Sequence, residues 1–400
     1  MQSFSCELEW LMQEFGPRIA APAVMCYKVP YELGLDVASI MVGARLVVSL
    51  KRFLQLGFSA LFATTLFICD IAWAQGVELS REFGSRVVLE AIWTDTQLQH
   101  LDGENLVSGY HQPDVTLPDG GCAPLHTMWA ASSRPGNIRS VSPRSGVGKV
   151  VALTFDFCEL STKTSGYNGE VIDFLRQHSI PATLFLGGKW MKTHQERAMQ
   201  LIADPLFEIG SHAWTHGNFA LLPEKEAVEQ VMCTEKQYEI LRDAIAERLG
   251  SDDRYHGELA KIPESMSLFR LPYGRVTREN LDFLHKIGVG VIQWDVVVPE
   301  WELISDKFVS SNMNIRSGSI LLMHATSVPP HTLENLKTVV GFLRKEGYDF
   351  VTVTRLLGAG SPNVYTEGYF RNAGDNIFLD SKYAHYGTAH LPPEPRSPAN

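Results

Sequence analysis

The sequence predicts an α/β protein, a deformed (β/α)7–8 barrel preceded by an irregular N-terminal extension. Three observations carry this reading. From Lys149 to Gly358 short apolar runs alternate with amphipathic helical stretches. Runs such as Val150-Val151-Ala152-Leu153-Thr154-Phe155 are continuously apolar, as strands buried on both faces of a parallel sheet require. There are about seven such βα units, which implies right-handed crossovers and a sheet that curls toward closure.

The chain begins outside this pattern. Lys51-Arg52 opens an apolar run from Phe53 to Cys69 that closes on Ala72-Trp73-Ala74. A basic flank, an apolar core and small residues before the cleavage point fit a secretory signal peptide, with an uncleaved membrane anchor as the alternative. Some 40 residues too many precede it, and Met41 gives a normal length, so residues 1–40 are read as an upstream start chosen in error and 41–74 as the signal peptide. Either way the remainder is expected to be exported, periplasmic or secreted. Residues 75–147, with scattered Pro and Gly, read as an irregular extension ending in a linker.

Within the barrel, expected for 148–358, helices are read at Gly169–His178, Trp190–Ala203, Pro223–Gly250, Thr277–Lys286 and Thr332–Glu346. The third carries Pro in its first turn and an apolar stripe from Val228 to Leu249. Strands are read at Ile180–Leu186, Phe207–Gly210, Leu268–Leu271, Val289–Trp294, Ser319–Met323 and Phe350–Val353. Residues 251–267 are polar and patternless, a surface insertion, and 359–400 are read as a flexible tail.

Composition limits the function. A net charge of −10 argues against a nucleic-acid surface and against general affinity for anionic lipid, so a membrane contact enters only through an uncleaved leader. Cys6, Cys26 and Cys69 fall in the presumed leader, which leaves Cys122, Cys158 and Cys233. An odd number in an exported protein allows one bridge and leaves a thiol over; the pairing is open. Nothing in the sequence speaks to oligomeric state.

The reactive residues sit where an α/β barrel places its chemistry, at the carboxyl ends of strands. Asp156 ends the first strand, His212 and His216 follow the third, Arg270 and Tyr273 the fourth, Asp295 the fifth, and His324 ends the sixth. Two histidines four apart can grip one metal ion if the chain turns there into a helical turn. These segments resemble the polysaccharide deacetylase family, the NodB-homology domain of carbohydrate esterase family 4, over 148–358. Thr154-Phe155-Asp156 resembles its first motif, His212-Ala213-Trp214-Thr215-His216 its H-x-x-x-H, Arg270-Leu271-Pro272-Tyr273 its R-x-P-Y, and Leu321-Leu322-Met323-His324 its L-x-x-H.

The resemblance implies metal-dependent hydrolysis of acetyl groups, N-acetyl before O-acetyl, from a carbohydrate polymer or oligomer. His212 and His216 are expected to hold a divalent ion, zinc by preference, with Asp156 as base, His324 as acid, Arg270 orienting Asp156 and the Tyr273 N–H stabilising the oxyanion. Trp301 and Leu321 are expected around the acetyl methyl. Two departures from the family pattern leave choices open. Where the family has a second acid, position 157 is Phe, so the third ligand is Glu159, Cys158 or Asp156 itself, with Glu159 preferred because a carboxylate suits zinc and keeps its water acidic. The D-x-x-D-W motif appears as Val297-Val298-Pro299-Glu300-Trp301, and Asp295, on the same face of an extended segment as Val297, is expected to pair with His324. The rival readings are a hydrolase of a non-sugar amide on this scaffold and an inactive carbohydrate-binding relative.

Overall fold

The computed structural model describes residues 83–109, 113–122, 134–326 and 329–383. The expected upstream segment and signal peptide, 1–74, lie outside the described residues. Ten strands position the site: β1 Asn137–Pro143, β2 Lys149–Phe157, β3 Ala182–Leu186, β4 Phe207–Ser211, β5 Leu268–Phe269, β6 Gly290–Val291, β7 Val296–Val297, β8 Ile320–His324, β9 Tyr348–Phe350 and β10 Gly360–Tyr365. The sheet runs β6-β5-β4-β3-β2-β8-β7, with β9 beside the first residues of β2, and every pairing in it is parallel. The β1 strand makes a single bridge to Ile292, just past β6, and another to Ser319, just before β8, so it spans between the two sides of a curled, incomplete barrel.

Helices follow the strands as the pattern requires. They are α1 Arg86–Ile92 in the extension, α2 Gly169–Gln177, α3 Gly188–Thr193, α4 Gln195–Ala203, α5 Glu224–Leu249, α6 Arg278–Lys286, α7 Asp306–Asn312, α8 Thr332–Lys345 and α9 Val353–Gly358. The single helix expected over Trp190–Ala203 is two, broken at His194, whose φ of −120° is not helical. Thr277 caps α6 by accepting from the Asn280 amide, and Ser305 caps α7 through Phe308.

Period-two alternation along β2 sorts its side chains into two cores. Val151, Leu153, Phe155 and Phe157 join the helices in the larger one. Val150 and Ala152 join Ile138, Phe185, Leu268, Ile292, Trp294, Ile320 and Leu322 in the smaller, with Val353, Leu356 and Leu357 of α9 closing the floor. Thr154 and Asp156 continue that inner row upward, which brings Asp156 to the mouth.

Two boundaries read from the sequence are corrected. The segment expected as a linker contains β1, and 359–383 is no flexible tail. There β10 pairs antiparallel with β1 over six residue pairs. Beyond it Arg139 donates to the Tyr369 carbonyl at 3.0 Å and Trp294 Nε1 to that of Phe370 at 2.8 Å. The insertion 251–267 is likewise anchored, with Ile262 and Met266 buried. Cys122 is disulfide-bonded to Cys233 on α5, which fixes the pairing and leaves Cys158 free.

Glu235 of α5 is buried, its oxygens accepting the Met266 amide at 3.1 and 3.3 Å, and burial pushes its carboxyl up to about 8. The folded state therefore holds a proton that the unfolded chain has released, and stability falls as pH rises from about 4.5 toward 8. Glu235→Gln keeps an acceptor and abolishes this slope. Thermal melts at pH 5 and pH 8 should draw together in the variant; unchanged spacing would show that the proton sits elsewhere.

Candidate active site at the barrel mouth

Arg270, immediately after β5, is wholly buried, and its guanidinium donates to four acceptors. Nη1 donates to Asp156 Oδ1 at 2.9 Å and Thr154 Oγ1 at 2.7 Å, Nε to the Ile292 carbonyl at 3.2 Å, and Nη2 to that of Gln293 at 3.3 Å. The group also lies 4.0 Å from the Phe185 ring centroid. One carboxylate oxygen of Asp156 is thus held, while Oδ2 faces His212 Nε2 at 3.5 Å.

The histidine pair is built differently from the helical turn expected. Residues 212–218 form no helix. Left-handed backbone at Ala213 (φ 66°) and His216 (φ 61°) folds the loop back instead, and the rings meet with centroids 4.8 Å apart. The loop is clamped by groups the sequence did not point to. Gln230 of α5 accepts from the Thr215 and Gly217 amides at 3.0 and 3.3 Å and donates to Thr215 Oγ1. The Gly188 and Lys189 amides at the start of α3 donate to the carbonyls of Ala213 and Trp214.

His212 Nδ1 pairs with the Arg270 carbonyl at 3.0 Å, so it carries the hydrogen and Nε2 keeps its lone pair. Burial lowers the His212 pKa to about 3 and that of His216 well below its ordinary value, so both rings are neutral, the form that ligates metals. His216 Nδ1 is buried without a hydrogen-bond partner among the described residues. Two sets of metal-capable side chains each bring one donor atom per residue within 4.8 Å of one another: Cys158, His212 and His216, and Asp156, Cys158 and His324. An orphaned imidazole nitrogen beside neutral donors fits a divalent ion.

Glu159 is in neither set. Its Oε2 accepts the Ser165 amide and its Oε1 the Thr193 hydroxyl, both at 2.9 Å, and the residue is buried away from the pair. Burial raises its pKa to about 7. The expectation that Glu159 reaches the histidine pair is therefore corrected. Alternation explains why: Asp156 and Cys158 share the inner parity of β2, and Glu159 follows Phe157 to the outside. Cys158 Sγ lies 3.4 Å from His212 Nε2, and burial pushes its thiol pKa up.

Asp295 is also corrected. Its carboxylate accepts from the Ile320 amide at 2.9 Å and Ser319 Oγ at 3.0 Å, at the start of β8, while His324 ends that strand roughly 13 Å further along at 3.3 Å per residue. Glu300 takes the expected position. Its Oε2 meets His324 Nδ1 at 2.6 Å, and its Oε1 accepts the His324 amide at 2.8 Å and Thr332 Oγ1 at 2.6 Å. Burial works against charge on His324, but the Glu300 carboxylate outweighs it and holds the pKa well above the ordinary value.

Tyr273 sits in the turn Pro272–Gly274 at φ 60°, its ring edge-on to His216 with centroids 4.3 Å apart. Asn376, in the segment expected to be a tail, donates to its carbonyl at 2.8 Å, and Asp380 binds Arg275 and Asn218. Trp301 is 70% exposed, so it encloses nothing by itself, and Leu321 lies in the outer core facing the helices rather than the mouth. Leu321 is removed from the expected acetyl pocket on that ground.

A curled parallel barrel thus brings an Arg-held carboxylate, a Glu-held imidazole and a paired-histidine loop together at one mouth. Residues 144–292 match the family described as Polysaccharide deacetylase. The chain is 28% identical over 218 residues to the peptidoglycan-N-acetylglucosamine deacetylase PgdA of Listeria monocytogenes, covering 54% of this chain and 40% of that protein. It is 27% identical over 199 residues to a chitooligosaccharide deacetylase of Sinorhizobium fredii, covering 48% and 80%. Among solved structures it is similar to a CE4 family pseudoenzyme from Bacillus anthracis, with 25% identity, 56% and 69% coverage and a TM-score of 0.43. The match thus spans less than half of the Listeria relative.

Proposed function

We propose that this chain hydrolyses acetyl groups, N-acetyl in the first instance, from an acetylated amino-sugar polymer or oligomer outside the cytoplasm. The observation that carries the reading is the mouth itself: a buried carboxylate fixed by Arg270 and an imidazole paired with Glu300, both beside the histidine pair. The relatives' names, peptidoglycan and chitooligosaccharide deacetylases, support the substrate class.

His212 and His216 would hold a divalent ion, which when bound supplies Lewis acidity toward water and the acetyl carbonyl. Asp156 takes the proton of the attacking water through Oδ2, the oxygen that Arg270 leaves free. Tyr273 presents its backbone N–H to the carbonyl oxygen as that oxygen gains charge. His324 protonates the nitrogen as the C–N bond breaks, releasing acetate and a free amine. Trp301 offers an exposed aromatic face beside Glu300 for a sugar ring. The Cys122–Cys233 bridge supports export, since such bonds persist in oxidising compartments.

Acetate release from N-acetylated chitooligosaccharide and from peptidoglycan tests the proposal, and metal-loaded protein that releases none from either refutes it. Because Glu300 keeps His324 protonated above its ordinary range, the alkaline limb of the kcat profile should lie well above pH 6.5. Glu300→Gln should move that limb to lower pH. A limb that stays in place would remove His324 from the role of acid.

A further inference from the structure

The first-motif loop of this chain carries a cysteine beside the histidine pair. We propose that the Cys158 thiolate is the third protein ligand of an ion held by His212 and His216, making a sulfur–nitrogen–nitrogen site that selects zinc and leaves Asp156 to act as base. The proposal deepens the deacetylase reading and rests on it for the presence of an ion.

Of the other acids near the pair, Glu159 and Glu300 have both oxygens engaged, and Asp156 keeps only Oδ2 free, the oxygen assigned to the water. Glu159 is held by Ser165 and Thr193 on the outer side of the strand, Glu300 by His324 and Thr332, and one oxygen of Asp156 by Arg270. Cys158 alone belongs to both donor sets at the mouth. Its position follows from the strand: counting in twos from Val150 through Ala152, Thr154 and Asp156, residue 158 is the next to face inward. The spacing agrees as well. Zinc bonds of about 2.3 Å to sulfur and 2.0 Å to nitrogen in a tetrahedron separate neighbouring donors by roughly 3.5 Å, and Cys158 Sγ is 3.4 Å from the lone-pair nitrogen of His212. His216 Nδ1, the buried orphan, is a second sign that the loop is shaped around something.

Two consequences separate this site from one with a carboxylate ligand. A thiolate supplies the same single negative charge, but as a soft donor it favours zinc and cobalt over manganese and magnesium. It also marks a bound ion spectroscopically. The disulfide holds the other two cysteines of the described residues, so the thiol beside the pair is Cys158.

The test replaces the native ion with cobalt(II) in the full chain. Wild-type protein should show the ligand-field bands of cobalt together with a thiolate-to-cobalt charge-transfer band in the near ultraviolet. Cys158→Asp should keep the ligand-field bands, lose the charge-transfer band and gain affinity for manganese relative to zinc. Cys158→Ala should weaken zinc by more than the roughly 10–100-fold that loss of an outer-shell partner costs. Because a variant can fail to fold, wild-type protein is also treated with iodoacetamide with and without zinc, and zinc should protect the peptide carrying Cys158. Cobalt that binds without the charge-transfer band, or zinc that gives no protection, overturns the assignment while the deacetylase reading stands. Failure of wild-type protein to retain either ion overturns both.

Discussion

Asp156→Asn should lower kcat for acetate release by about 10²–10⁴-fold while leaving the barrel folded, because general-base catalysis contributes on that scale. Asparagine is nearly isosteric, and its carbonyl oxygen can still accept from Arg270 Nη1, which now donates to Asp156 Oδ1 at 2.9 Å. What it cannot do is take a proton. The variant therefore separates holding from catalysis, and its metal content, measured alongside, separates base from ligand. Loss of activity with the metal retained places Asp156 as base. Loss of both makes Asp156 a ligand, and a fall of less than about tenfold moves the base to another group.

Much of this site was legible because strand ends and parity are simple counts. The apolar run from Val150 to Phe155 sets which residues face inward, and the same count that places Asp156 at the mouth places Cys158 beyond it and Glu159 outside. Preferring a carboxylate on ligand chemistry alone overlooked that count. Asp295 failed for a related reason. Sharing a face with Val297 says nothing about height along the strand, and height separates its carboxylate at Ile320 from His324. Glu300 was in view within the Val297–Trp301 motif, and its role needed only the distance that folding supplies.

Other features had no local signal. The loop 212–218 reaches its shape through positive φ at Ala213 and His216, residues that do not advertise left-handed backbone as glycine does. It is held by Gln230, on a helix whose sequence shows only its apolar stripe. The strap from Gly360 to Asp380 reads as a tail because Pro362 and the surrounding polar residues mask an edge strand, where proline is tolerated. Its contacts with Arg139, Arg275 and Tyr273 are long-range and invisible to pattern.

Arg270→Met should cost about 3–5 kcal/mol of stability, the range for removing one partner of a buried ion pair. Arg270 is 0% exposed, and its removal strands a carboxylate, a hydroxyl and two backbone carbonyls at once. Lysine cannot rescue it: a single ammonium cannot reproduce a planar fork that donates to four acceptors, nor stack on Phe185 as the guanidinium does. Two explanations of the loss make different predictions. If the uncompensated charge on Asp156 dominates, the double variant Arg270→Met with Asp156→Leu should recover most of the stability, since an apolar pair of similar volume can replace a buried ion pair at little cost. If the lost hydrogen bonds to Thr154, Ile292 and Gln293 dominate, the double variant should melt no higher than the single. Denaturant titration of the three variants, read as a double-mutant cycle, decides between them. Recovery would mean that Arg270 is kept at the mouth for the carboxylate it orients, at a cost that a purely structural core would avoid.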